Sequence, residues 1–160
     1  QPFDQVDGSA NTVNSVLGTQ VGTGTTVYVW DAEGGAYATA SRSAFGWSAD
    51  VPLTRGDGFW IQSPAAAEIL LMGQVPEADS VIDVDAGVSL YGNPVPVEKT
   101  IVDSGLNAAP MGTTLFFWDG SGYVTVSKSA FGWPAGTNLG MAEGFWMQAA
   151  SAFQWTEPAP

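Results

Sequence analysis

Residues 112–148 read GTTLFFWDGSGYVTVSKSAFGWPAGTNLGMAEGFWMQ, and residues 24–62 read GTTVYVWDAEGGAYATASRSAFGWSADVPLTRGDGFWIQ. When two residues of the first stretch are set aside in its hairpin loop, roughly half of the aligned positions are identical. Identity at that level does not arise by chance, so the two stretches come from one duplicated unit. We call residues 24–62 the first repeat and residues 112–148 the second repeat, and we predict two β repeat units, residues 1–80 and 81–160.

Each repeat has the composition of a series of antiparallel strands. Aromatic and β-branched residues fill 25–30 and, apart from Leu115, 113–118, and Asp119-Gly120 is a strong hairpin signal. Further strands are expected at 37–41, 58–62 and 68–73 in the first unit and at 123–127, 144–148 and 152–156 in the second. Together with 20 Gly and 10 Pro, this pattern predicts an all-β fold made of two tandem antiparallel units, sandwich-like or barrel-like.

Composition excludes several classes of function. The chain carries 16 acidic residues against 4 basic ones, a net charge of −12, so no nucleic-acid partner is expected. The longest apolar run, residues 69–72, is far too short to span a bilayer, so no membrane insertion is expected. With no Cys and no His, the chain lacks thiolate nucleophiles and the commonest transition-metal ligands. We therefore predict that it is not an enzyme and has no catalytic residue, cofactor or metal.

Carboxylates are the remaining candidates for chemistry. Asp31 and Asp119 occupy matching hairpin positions, and Asp57 and Glu143 both precede a Gly-Phe-Trp strand. Paired carboxylates can hydrolyse glycosides, but acids at such positions also cap turns, which is the interpretation we favour. Residues 83–87 have a faint calcium-loop pattern but lack the Glu that an EF-hand has at its twelfth position, so we expect a turn there.

Six of the seven Trp residues occur as matched pairs in the repeats. Trp60 and Trp146 lie beside Phe in predicted strands, and we predict that they are buried in the core. Trp47 and Trp133 follow Gly in a short loop segment, SAFGW, where an exposed indole can stack on a sugar ring or anchor a subunit contact. These two are candidates for a subunit interface or for glycan stacking, with a core position as the other interpretation.

A strand-like segment, residues 88–93, precedes the second repeat, and the first repeat has no counterpart of it. Pro94, which follows it, is best matched by Pro2, so the first unit is predicted to lack its opening strand. Such a sheet exposes unpaired backbone groups, and three explanations stay open: a degenerate first unit, a strand from elsewhere in this chain, or a strand from a neighbouring subunit. The possible donors are residues 152–160 and the N-terminal segment, whose candidate subunit-interface residues are Gln1, Pro2, Phe3 and Val6.

The motifs also support a resemblance. GNP at residues 92–94, the WDG hairpin, FGW and GFW-x-Q follow one another in an order that resembles uncharacterised secreted bacterial repeat proteins with aromatic-rich β units. That resemblance implies export and a surface or extracellular role. The start at Gln1 rather than Met is also what removal of an export signal would leave, so we expect a secreted protein.

A functional hypothesis follows. The strands at 27–30 and 115–118 are apolar on both faces, whereas a half-exposed antiparallel strand alternates, so a partner or the fold itself must cover the second face. We therefore predict a secreted, self-associating structural protein whose partner is another copy of itself in an extracellular filament, sheath or surface layer. The alternative is a carbohydrate-binding module that holds a polysaccharide with Trp47 or Trp133.

Overall fold

The computed structural model describes residues 2–160, and in that range it has twelve β-strands, one short α-helix and two short 3-10 helices. The predicted all-β fold is confirmed, and the strands pair antiparallel. Within the described residues, no helix combines the length and apolar character needed to cross a membrane. The elements are α1 Val13–Leu17, β1 Thr26–Asp31, β2 Ala36–Ser43, β3 Gly46–Trp47, β4 Phe59–Gln62, β5 Ser80–Val84, β6 Gly87–Gly92, β7 Lys99–Thr100, β8 Thr114–Trp118, β9 Tyr123–Ser127, β10 Asn138–Leu139, β11 Gly144–Ala149 and β12 Phe153–Glu157.

Two four-stranded sheets form the body of the molecule. The first has the strand order β3-β2-β1-β4, and the second has the order β6-β11-β8-β9. Val27 of β1 lies opposite Ala40 of β2, and its counterpart Leu115 of β8 lies opposite Val126 of β9. Matching residues of the two repeats therefore hold matching registers.

The correspondence continues upstream of the repeats. The hydroxyl of Thr12 caps α1 by accepting from the amide of Ser15 at 3.1 Å. The hydroxyl of Thr100 caps a 3-10 helix in the same way, accepting from the amide of Asp103 at 3.2 Å. Both caps satisfy an amide that a helix start leaves without an intrahelical partner.

One face of each sheet packs on its own buried core. Side chains of α1 close the first core, and the two 3-10 helices, β5 and β12 close the second. The first core contains Val13, Val16, Leu17, Val27, Val29, Ala40 and Leu53. The second contains Val84, Ile101, Leu106, Ala109, Leu115, Phe117, Trp133, Leu139, Phe145, Met147, Ala149 and Trp155.

The opposite faces of the two sheets meet across a layer of aromatic rings. Trp30 contacts Trp146 with ring centroids 5.4 Å apart, and the counterpart pair Trp118 and Trp60 is 6.2 Å apart, both edge to face. Such pairs are each worth about 0.5–1.5 kcal/mol beyond the area they bury. The second apolar face of β1 and β8 thus meets the other sheet. The prediction that Trp60 and Trp146 are buried in the core is wrong, because they lie half-buried in this layer.

Strands β5 and β6 are joined by two residues but belong to different sheets. β5 pairs with β12, whereas β6 pairs with β11. We call this strand–turn–strand segment, residues 80–92, the β5–β6 arch. Its Ile82, Val84 and Tyr91 pack in the second core. The turn expected at residues 83–87 is confirmed only at residues 85–86, because Asp83 and Val84 belong to β5 and Gly87 belongs to β6. Strand β5 was not predicted from the sequence.

Residues 68–73 form no strand, although β12 occupies the matching place beyond the second repeat. A strand needs a pairing partner, and among the described residues no strand pairs with this segment; Asp4 bridges Gln74 just beyond its end. It is held instead by the side-chain amide of Gln20, which accepts from the amide of Leu70 at 2.7 Å and donates to its carbonyl at 3.2 Å. The predicted closing strand at 68–73 is therefore wrong, for lack of a partner.

Candidate functional site

The first sheet ends at an uncovered strand. β4 pairs with β1 alone, whereas its counterpart β11 pairs with β8 on one side and with β6 on the other. β6 reaches the first sheet only at its corner, where the amide of Gly58 donates to the carbonyl of Leu90 at 3.4 Å and that of Gly92 donates to the carbonyl of Gly56 at 2.8 Å. Within residues 2–160, Phe59–Gln62 has no partner strand on its outer edge, as the sequence predicted.

An apolar groove of about 250 Å³ runs beside this edge. Small residues of the second unit, among them Ala142 and Gly144, form part of its far wall. The wall on the side of the first unit contains Asp57, Gly58 and five larger apolar side chains, and we call these five apolar residues the β4 groove. They are Leu17, Phe59, Ile61, Ile69 and Leu71.

The second repeat shows what normally covers such a surface. Phe145, the counterpart of Phe59, is 1% exposed, and Met147, the counterpart of Ile61, is fully buried. Phe59 and Ile61 themselves are only half-buried. The difference lies in the β5–β6 arch, which pairs with β11 and places Tyr91 opposite Phe145. The β4 groove is thus the place that an arch occupies in the second repeat.

The two SAFGW segments turn their Trp residues inward. The indole N–H of Trp133 donates to the carbonyl of Leu106 at 2.9 Å, and that of Trp47 donates to the carbonyl of Gly18 at the same distance. Trp133 is only 6% exposed, so it has no free ring face for a sugar, and the structure contradicts the glycan-stacking role for it. Trp47 is half-buried, with the guanidinium of Arg42 5.9 Å from its ring centroid. A subunit contact at Trp47 stays a prediction.

The same segments turn their Phe residues outward. Phe45 and Phe131 are fully exposed at the tips of tight turns. In each turn a Ser hydroxyl accepts from the Phe amide at 3.1 Å and donates to the carbonyl of the next Gly, at 3.0 Å for Ser43 and 3.1 Å for Ser129. These exposed rings were not predicted, since Trp47 and Trp133 were the candidates in the SAFGW segments. A Ser two residues before the Phe was the available signal, since such a Ser closes a turn and leaves the Phe at the tip.

Substitutions within the second SAFGW segment test which ring stabilises the fold, the buried ring of Trp133 or the exposed ring of Phe131. Trp133→Phe is expected to lower the free energy of unfolding by about 1–2 kcal/mol, because it removes the indole hydrogen bond to the carbonyl of Leu106 and leaves part of a buried site unfilled. The carbonyl of Leu106 keeps its bond from the amide of Ala109. Phe131→Ala is expected to change it by no more than about 0.5 kcal/mol, because the ring has no contact to lose. Urea denaturation followed by far-UV circular dichroism measures both. A larger loss for Phe131→Ala than for Trp133→Phe would contradict the assignment.

The matched carboxylates accept hydrogen bonds from backbone amides in their own turns. Asp31 and Asp119 each accept two backbone N–H bonds inside their own hairpin loop, at 2.8–3.1 Å. The bond from Ser121 is the main reason that the pKa of Asp119 lies below its usual value. Asp57 and Glu143 each accept from the amide three residues earlier, at 2.7 Å. The turn interpretation is confirmed for all four, although burial raises the pKa of Asp57 above its usual value.

Of the N-terminal candidates for a subunit interface, Pro2 and Phe3 pack on their own chain, whereas Val6 does not. Gln1 lies outside the described residues. Pro2 is buried and Phe3 is half-buried, while the neighbouring Asp4 forms an antiparallel bridge within the same chain. Val6 is 80% exposed. The other possible donor, residues 152–160, contains β12, which already pairs with β5 of the same chain. An interface at the N-terminal residues stays a prediction.

No group of three or more acidic side chains placed to hold a metal ion occurs in the described part of the chain. The β4 groove with its free edge and the pair of Phe tips are apolar surfaces that local structure leaves unexplained. Comparison of the chain with protein-family models, with curated proteins and with solved structures found no match.

Proposed function

We propose that the chain is a secreted structural protein that associates with neighbouring subunits, and that the principal contact lies at the β4 groove and the free edge of β4. The observation that carries this proposal is the contrast between half-buried Phe59 and Ile61 and their buried counterparts Phe145 and Met147. Buried apolar area contributes about 25 cal/mol per Å², and an open strand edge readily recruits another strand. Both effects favour an added partner.

Two further features support assembly rather than a small-ligand function. Phe45 and Phe131 present bare rings on a surface that is distinct from the β4 groove. Repeated contacts between unlike surfaces build a ring when the rotation between subunits closes, and an open filament when it does not. The net charge of −12 keeps such an aromatic-rich surface soluble before assembly. The proposal of an extracellular location rests on the resemblance to secreted repeat proteins.

A pair of neighbouring substitutions tests the contact. Leu71→Lys places a charge in the β4 groove, whereas Leu70→Lys adds the same charge to a side chain that is already 60% exposed. We expect the unmodified chain and Leu70→Lys to form oligomers or filaments, and Leu71→Lys to remain monomeric. Light scattering coupled to size-exclusion chromatography and negative-stain microscopy report the outcome, and circular dichroism checks that both variants fold.

Two outcomes would contradict the proposed contact at the β4 groove. An unmodified chain that stays monomeric at concentrations up to about 1 mM, where even weak specific contacts populate, would overturn the proposal. Assembly that Leu71→Lys leaves intact while the double variant Phe45→Ser, Phe131→Ser abolishes it would move the contact from the groove to the Phe tips.

A further inference from the structure

We infer that a cavity beside Trp60 and Trp118, in the aromatic layer between the two sheets, is a binding site for a quaternary ammonium group. The inference goes beyond the proposed function and does not rest on it. It adds a small-ligand site to a chain whose main function we propose to be assembly, and it can be tested whether or not the chain assembles.

The two matched ring clusters of the aromatic layer are not equally closed. In one of them three rings contact one another pairwise, with centroids 5.1–6.4 Å apart, and these are Trp30, Tyr37 and Trp146. In the other, Trp118 contacts Tyr123 at 5.2 Å and Trp60 at 6.2 Å, but among the described residues no ring contact joins Tyr123 to Trp60. Trp118 is 46% exposed, whereas its counterpart Trp30 is half-buried. The cluster around Trp118 is therefore the open one.

A cavity of about 220 Å³ lies beside the open pair of Trp residues. The ring planes of Trp60 and Trp118 stand at 83° to each other, so the two rings form walls that meet in a corner. Phe59 and Leu90 add further apolar lining, and Glu143 is the lining residue that carries a charge. The cavity thus combines three aromatic side chains with a single carboxylate.

The carboxylate of Glu143 is fixed in position but has no counter-charge. Its Oε2 accepts from the amide of Gly140 at 2.7 Å, within the turn that precedes β11. The ion pairs in the described part of the chain are Arg55 with Asp4 and Lys99 with Glu157, and neither involves Glu143. The net charge of −12 further attracts cations and repels anions. The electrostatics of the cavity therefore favour a cationic ligand.

The lining selects a quaternary ammonium group among cations. Aromatic rings, Trp above all, attract a cation held against them, and the methyl groups of a quaternary ammonium pack on apolar walls without leaving an N–H to satisfy. A primary ammonium brings three donors, more than one carboxylate oxygen can accept.

Size and polarity argue against a sugar in this cavity. Pockets for drug-sized ligands measure roughly 300–1,000 Å³, so a cavity of about 220 Å³ suits a compact group. A sugar ring also presents several hydroxyl groups, for which the side chains of the lining offer one carboxylate.

Choline and its uncharged analogue, the alcohol in which a carbon atom replaces the choline nitrogen, test the inference on the full chain. The two probes have the same shape and differ in charge. Titration calorimetry and Trp fluorescence, at constant ionic strength, measure their binding. We expect saturable binding of choline with a Kd of about 10 mM or tighter. We expect the uncharged alcohol to bind at least about fivefold more weakly.

Variants locate the ligand. Trp118→Leu should weaken choline binding about five- to thirtyfold. Glu143→Gln keeps an oxygen for the amide of Gly140 and removes the charge, and should weaken it about two- to fivefold. Glu77→Gln removes the same charge from an exposed position outside the cavity and should leave binding unchanged. Leu71→Lys, which alters the β4 groove but not this lining, should also bind choline normally. Circular dichroism checks that each variant folds.

A free small molecule and the headgroup of phosphatidylcholine both carry the quaternary ammonium group, and vesicles distinguish the two sources. Co-sedimentation with phosphatidylcholine vesicles that choline competes away, and that phosphatidylglycerol vesicles do not reproduce, would identify the headgroup. Choline binding without co-sedimentation would identify a free ligand. Either result supports the site.

Three results would overturn the inference. They are no saturable choline binding up to about 100 mM, a concentration about ten times the expected Kd, equal affinity for the uncharged alcohol, and unchanged affinity in Trp118→Leu. None of them depends on whether filaments form, so failure of the proposed assembly is a separate result.

Discussion

Replacing Lys99 by Met is expected to lower the free energy of unfolding by about 3–5 kcal/mol, because it leaves a buried carboxylate without its counter-charge. Glu157 is fully buried at the end of β12, and its carboxylate accepts from the ammonium of Lys99 at 2.5 Å. The amide of Gly105 and the indole N–H of Trp155 donate to the other oxygen at 2.8 and 2.9 Å. The loss is measured by urea denaturation at neutral pH.

Two companion variants show whether charge is the cause. Lys128→Met removes an ammonium that donates only to backbone carbonyls, so it should cost clearly less than Lys99→Met. The double variant Lys99→Met, Glu157→Gln keeps an oxygen for the two remaining donors and removes the buried charge, and should regain much of the lost stability. A loss below about 1 kcal/mol for Lys99→Met would show that this ion pair does not hold β7 to β12.

Truncating the two matched Phe residues should give unequal losses. Phe145→Ala is expected to cost about 3–5 kcal/mol, because the ring is 1% exposed and contacts both Phe117 and Trp155. Phe59→Ala should cost about 1–2 kcal/mol, because the same ring in the first repeat is only half-buried. Equilibrium denaturation of the two single variants provides the comparison.

The difference between the stability losses of Phe59→Ala and Phe145→Ala measures how far the β4 groove is uncovered. Equal losses for Phe59→Ala and Phe145→Ala would mean that the groove is already as well covered as the second core, and the reason for an added strand would disappear.

Several parts of the candidate site could be predicted from residues alone. The lack of an opening strand in the first unit followed from comparing Pro2 with Pro94, and β4 is indeed an edge strand. The turn role of Asp31 and Asp119 followed from their place in hairpin loops. These features are local or arise from the internal repeat, so a single chain contains the information.

Other parts were missed because they depend on distant contacts. Lys99 and Glu157 are 58 residues apart, and no periodicity brings them together. Trp60 and Trp146 had the neighbours of core residues, but the face on which they lie depends on how the two sheets pack. Whether the Trp or the Phe of SAFGW points inward was decided by the carbonyls of Gly18 and Leu106, which sit in preceding segments.

By itself the sequence determined the duplication, the all-β class and the strands that carry aromatic and β-branched residues, because repeat identity and strand propensity are properties of neighbouring positions. Tertiary structure alone decided which of two matching surfaces is covered. Phe59 and Phe145 are the same residue in the same local sequence, yet only Phe145 is buried. The arch that buries it lies more than 50 residues away in the chain, and burial depends on which segments pack together rather than on local sequence.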